Sequence, residues 1–154
     1  MKIRLLSTVV AFVIAISGVN TSLFSAAHAN KEGDHDHSEL GDQMETISKS
    51  FRSLRRQAKD PAKNAASVAL AGKMLNAAKT ALEFEPAWKS EQPKDEQADF
   101  VAGFKKEMKV FVGLLIDLEK AFKDGDNAAA QAIIGKMRDH QKKSHKSFKA
   151  PDED

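Results

Sequence analysis

Apolar residues at Leu40, Met44, Ile47, Phe51, Leu54 and Ala58 alternate steps of four and three, and no other feature of the sequence limits the fold as strongly. At about 100° per residue such a series stays on one side of an α-helix, whereas a strand would need alternation by two. A helix with one apolar stripe must bury it, so neighbours of the same kind are required. Asp60-Pro61 then offers an N-cap followed by proline at the first helical position. The second helix carries Val68, Ala71, Leu75, Ala78 and Leu82, and its many alanines imply close approach to a neighbour. Glu83 to Gln92 contains Pro86 and Trp88 and is followed by Pro93, so no helix runs through it unbroken, and it forms the one long connection. A third helix resumes near Asp95 with Phe100, Phe104, Met108, Phe111, Leu115, Leu118 and Phe122 on one face. It stops at Asp124-Gly125-Asp126, where glycine suits a C-terminal cap and Asp126 a new N-cap. The fourth helix places Ala130, Ile134, Met137, Gln141, Ser144 and Phe148 inward. Four amphipathic helices, mostly short links and no strand signal predict an all-α, antiparallel up-down-up-down four-helix bundle with no internal repeat.

The bundle is expected over residues 39–150, with polar or processed segments at both ends. Lys2 and Arg4 precede an apolar run from Leu5 to Ile16, and the stretch closes on Ala27-His28-Ala29, so residues 1–29 read as a secretory signal peptide. Ser17-Gly18-Val19-Asn20-Thr21 ends the apolar run well short of the roughly 20 residues that a membrane anchor needs. Residues 30–38 form a polar tail containing Asp34-His35-Asp36-His37, and residues 151–154 a short acidic tail. Lys2 and Arg4 are the only charges before residue 30, so the 24 basic and 22 acidic residues of the chain become balanced after cleavage. That balance gives no reason to expect nucleic acid as a partner. The chain has no cysteine, so an exported form is held by its core or a ligand rather than by disulfides.

The bundle topology brings the start of the first helix and the end of the fourth to the same end of the molecule. Met44 and His145 each lie about five residues from that end, and at about 1.5 Å per residue they sit at similar depth. His145 falls about 20° from Ile134 around the fourth helix, on the margin of the buried stripe, and His140 holds the opposite margin with equal claim. Phe84, Trp88, Phe100 and Phe104 gather at the same end, while Ala77, Ala78 and Ala81 leave room on the second helix. An imidazole facing a thioether across an apolar slot is an axial pair that haem iron accepts, one suited to electron transfer. The plain alternative is that Met44 fills the core and the histidine is a half-exposed structural residue.

Leu40-Gly41-Asp42-Gln43-Met44-Glu45-Thr46-Ile47 resembles the opening helix of the soluble cytochrome b562 family, in which the methionine is an axial haem ligand. Asp99-Phe100-Val101-Ala102-Gly103-Phe104 is similar to that family's third helix, whose two phenylalanines wall the haem pocket. His145-Lys146-Ser147-Phe148 resembles the segment that carries the family's histidine ligand, at the expected distance from Gly125. The resemblance spans roughly residues 39–149 and implies noncovalent haem b in a protein of the same up-and-down topology, of which cytochrome b562 is itself a type example. It assigns the axial roles to Met44 and His145 and the pocket wall to Phe100 and Phe104. Gln141-Lys142-Lys143-Ser144-His145 lacks both thiols of the Cys-x-x-Cys-His attachment motif of cytochromes c′, so no covalent haem linkage can form. Two departures stand out: Gln141 replaces an arginine of the family's best-known member, and the third helix is about one turn longer between Phe104 and Gly125.

The expected function is therefore periplasmic electron transfer without enzymatic activity, with haem and a redox protein as partners and no stable membrane insertion. A copper- or zinc-binding module built on His35 and His37, with Met44 as a soft donor, is the alternative, and a haem-free structural bundle is a third. Lys136, Arg138, Lys142, Lys143, Lys146 and Lys149 make the fourth helix basic, either as a solvated face or as a contact surface for haem propionates or an acidic partner. Protein produced with residues 1–29 is expected to be recovered as a periplasmic form beginning near Asn30. Intact mass spectrometry showing Met1 retained, or recovery only with membranes, would overturn export.

Overall fold

The four-three stripe of the first helix becomes α1, Glu39–Gln57, in a computed structural model that describes residues 38–149. The expectations for the signal peptide, for the tail with His35 and His37, and for Ala150 and the acidic tail lie outside the described residues. Ser38 caps α1, its side chain accepting from the Gly41 amide at 3.1 Å, and Glu39 and Asp42 place negative charge where the helix exposes unpaired N–H groups. Ile47, Phe51 and Leu54 are buried along the stripe, and Leu40 and Met44 pack half-buried against the same core.

Asp60 accepts from the Ala62 amide and starts a single 3-10 turn, Pro61–Lys63, which runs directly into α2, Asn64–Ala81. The inward face of α2 is rotated from the expected one: Ser67, Ala71, Met74, Ala77, Ala78 and Ala81 are buried, while Val68, Leu75 and Leu82 are half-buried. Alanine marks a buried face poorly because it is tolerated everywhere on a helix. The larger side chains at the margins pack half-buried against the same core. Buried Ser67 is satisfied by Gln57, whose Nε2 donates to its Oγ at 3.1 Å.

The connection from residue 82 to residue 96 contains a 3-10 segment, Ala87–Glu91, and Pro93 accepts from the amides of Glu96 and Gln97 to open the next helix. That helix, α3, spans Gln97–Lys123, two residues later than expected at its start. Val101, Phe104, Met108, Phe111, Leu115, Leu118 and Phe122 form an unbroken buried stripe along its full length. Gly125, at φ 74°, ends it in a left-handed conformation. The Asp126 amide donates to Ala121 O at 2.9 Å and the Gly125 amide to Phe122 O at 3.2 Å, the paired bonds of a Schellman cap. Asp126 then caps α4, Asn127–Phe148, by accepting from the Ala129 amide. Ala130, Ile134 and Met137 are buried, whereas Gln141, expected on the inward stripe, is exposed: beyond Met137 the inward line runs through Ser144 and Phe148 toward α3.

The described residues form an up-down-up-down bundle in which α1 packs on α2, α2 on α3 and α3 on α4. The fourth seam differs, for α1 and α4 barely approach one another. At one end they are tied, where Asn127 Nδ2 donates to Ala58 O at 2.9 Å and the Asn64 and Asn127 side-chain amides bond to each other at 2.8 and 3.0 Å.

Two glycines should respond oppositely to the same change. Gly125→Ala puts a Cβ into a left-handed residue and should destabilise the protein by about 1–2 kcal/mol. Gly135→Ala, in mid-α4 with open space where the Cβ would go, should stabilise it by about 0.5–1 kcal/mol. Urea unfolding monitored by helical circular dichroism checks both signs.

Candidate functional site between α1 and α4

The seam between α1 and α4 runs between the two helices that carry Met44 and His145. Arg55 and Ala58 of α1 and Ile134 and Arg138 of α4 line a single cleft across it, of about 240 Å³. That cleft fixes which sides of the two helices face one another and at what height. Eleven residues separate Met44 from Arg55, and eleven separate Ile134 from His145. Eleven residues make three turns with about 20° to spare and rise about 16 Å. Because α1 descends toward the cleft and α4 climbs away from it, Met44 and His145 reach facing sides of the seam at the same level. Met44 is half-buried against the core and His145 is exposed on the margin of α4.

His140, which periodicity left as an equal candidate, is committed to the other side of α4. Its ring stacks on Phe111 of α3 with centroids 6.0 Å apart and planes 19° from parallel. Its Nε2 lies 3.0 Å from Glu107 Oε2, an ion-pair separation without the alignment of a good hydrogen bond. Lys143 reaches the same carboxylate, with Nζ 3.6 Å from Glu107 Oε1. These contacts hold His140 in the α3/α4 seam, away from α1.

Phe100 and Phe104, the two rings the resemblance assigns to a pocket wall, pack among other aromatic side chains. Phe100 is half-buried and Phe104 is buried on α3, and both meet Phe148 near the end of α4, with centroids 5.3 and 6.0 Å apart in edge-to-face arrangements. Trp88 of the connection meets Phe100 edge to face at 6.0 Å. Gly103 lets Phe148 sit this close, since a Cβ there would lie 3.3 Å from Phe148 Cζ. Phe148 was legible only as an apolar stripe residue, and nothing in the spacing says that Gly103 receives it. Ala77, Ala78 and Ala81 are all buried on α2. Phe84 is half-buried in the connection.

Charge near this end is local and exposed. Lys89 donates to Glu85 Oε2 at 2.7 Å, and that hydrogen bond together with the lysine's charge holds the Glu85 carboxyl below its ordinary range. Two buried polar atoms among the described residues have no hydrogen-bond partner, His140 Nε2 and the Ser144 hydroxyl beside His145. Among the described residues no three His, Cys, Asp or Glu side chains gather to hold a metal ion, and no described helix is long and apolar enough to cross a membrane. Met44 and His145 carry a thioether and an imidazole, groups that haem iron accepts as ligands.

A search of curated proteins gives no match to the chain. The family model of cytochrome b562 matches residues 39–149, from the first residue of α1 to just past the end of α4. That family consists of haem-binding electron carriers built as four-helix bundles, and it implies b-type haem. With the match covering all four helices, the chain belongs to the cytochrome b562 family.

Proposed function

We propose that this protein is a periplasmic electron carrier, exported by residues 1–29, that holds one haem b without a covalent bond between α1 and α4 through Met44 and His145. What supports the reading is helical register: Met44 and His145 each stand eleven positions, three turns, from a residue that lines one cleft between α1 and α4, the adjacent helices with the fewest close approaches. When bound, the haem supplies a one-electron couple, and thioether with imidazole raises its potential relative to other axial pairs. Each protein group then has a distinct task. The His145 imidazole donates a nitrogen lone pair from the margin of α4, and the Met44 thioether donates from a side chain already packed on the core. Held by both Met44 and His145, the haem would supply electron transfer rather than small-molecule chemistry. Phe100 and Phe104, braced by Phe148, keep water from the apolar side of the pocket. The cations of α4 attract an acidic redox partner by an interaction that salt screens.

The ligand assignment is tested by three variants compared with the parent. The reduced parent should show sharp α and β bands of low-spin haem, and acid-organic extraction should release the haem completely. Met44→Ala should remain helical and give a high-spin or mixed spectrum with a lower potential. His145→Ala should lose haem affinity more heavily, since imidazole is the stronger ligand for ferric iron. His140→Ala should keep the low-spin spectrum while losing about 1–2 kcal/mol of stability, through loss of its stacking on Phe111 and its contact with Glu107. Loss of haem from His140→Ala with a low-spin spectrum retained by His145→Ala would reverse the assignment. Failure of the parent and all three variants to take up supplied haem would end it.

A further inference from the structure

We propose that the end of the α1/α4 seam farther from Met44 and His145 is a second binding site, for a small organic anion with one carboxylate or phosphate head and a short apolar body. Three independent features converge on the cleft there. Its charge is of one sign: Arg55 of α1, Lys59 just past its end and Arg138 of α4 line it, and no carboxylate does. None of these three cations forms an ion pair among the described residues, although most of the ion pairs formed elsewhere join a lysine to an acid three or four residues away. Arg55 is also held in place, its guanidinium lying 5.8 Å from the centre of the Phe51 ring. Two planar guanidinium groups suit the forked geometry of a carboxylate or phosphate better than ammonium groups do.

The floor is apolar. Ala58 and Ile134, at 2% and 8% exposure, form it, so the anion's body meets hydrocarbon while its head meets the cations. The space is about 240 Å³, the size of a small molecule rather than of a peptide segment. The Asn127 side chain, bonded to Ala58 O, closes the seam at this end and gives the cleft a fixed base. The third feature is Gly135. Glycine is the poorest helix former after proline, and nothing lies within 4 Å of where its Cβ would be, so no close approach within the protein explains its place in mid-α4. It does line the cleft, and its missing side chain is what leaves the space open.

The site is independent of haem ligation, being three turns away along both helices, and is tested on the purified full-length chain by isothermal titration and amide-shift mapping. Octanoate and hexyl phosphate are the probes, with octanol, inorganic phosphate and hexaglutamate as comparisons. Octanoate or hexyl phosphate should bind with a stoichiometry of one and shift the amides around Gln131 to Arg138. Octanol and inorganic phosphate, each carrying half of the required chemistry, should bind about tenfold more weakly or worse. Gly135→Leu, which fills the cleft and leaves every charge in place, should abolish binding, with helical content retained. Arg55→Gln and Arg138→Gln should each weaken it about tenfold, the value of one charge-assisted contact. Binding of inorganic phosphate or hexaglutamate as tight as that of octanoate would mean a diffuse basic surface and would overturn the proposal. Undiminished binding to Gly135→Leu would do the same.

Discussion

The bundle rests on a central layer in which Leu54 of α1, Met74 of α2, Leu115 and Leu118 of α3 and Met137 of α4 are wholly removed from water. Burying a side chain of this size contributes about 1.5–3 kcal/mol, and in this layer each helix supplies at least one. The layer is not symmetric. The alanines of α2 let it lie close to both neighbours, and the unbroken stripe of α3 gives α2 and α4 a common support. The two inner helices of the chain are therefore covered on two flanks, while α1 depends on α2 and α4 on α3. The seam between the outer pair can stay open without exposing the central layer, and for that reason it can accommodate a ligand.

Where the stripe is made of large side chains, the sequence predicts the structure closely. The inward residues of α3 and of α1 are those that four-three spacing selects, and the Asp60, Gly125 and Asp126 boundaries follow from cap and turn chemistry alone. The α2 face is harder to read because seven of its residues from Ala65 to Ala81 are alanines that carry almost no directional signal, so Val68 and Leu75 draw the expected face toward the margin. Gln141 marks the opposite kind of error: extending the α4 stripe by period alone ignored that the last two turns lean on α3 through Phe148. Bonds between elements had no sequence signature at all. Asn127 reads as an unremarkable first-turn residue, yet it joins α1, α2 and α4 through Ala58 and Asn64.

The candidate site was half legible for a related reason. Helical period fixes an angle around one helix but says nothing about which neighbour stands at that angle. His140 and His145 lie on opposite margins of the α4 stripe, so period treats them alike. What separates them is tertiary: Phe111 and Glu107, one turn apart on α3, occupy His140. The cleft residues Ile134 and Arg138 show that the His145 margin is the one turned to α1. The only sequence signal that favoured His145 was the resemblance of its surrounding segment to one family, and the match over residues 39–149 supports that membership without testing individual ligands.

Electrostatics adds a reason for the seam to remain unfilled. Arg55 and Lys59 on one side and Arg138 on the other bring like charge to both rims of the cleft, and drawing the helices together would crowd three cations with no acid between them. At separations near 8 Å that repulsion is worth only a few tenths of a kcal/mol per pair in salt water. It is nevertheless comparable to what an exposed, alanine- and glycine-containing contact between α1 and α4 could return. The neutral Asn127 bond to Ala58 O fixes the end where the chain must turn without adding charge to it. Along the rest of the seam the balance lies against closure, so the separation of α1 and α4 follows from the residues that face each other across it.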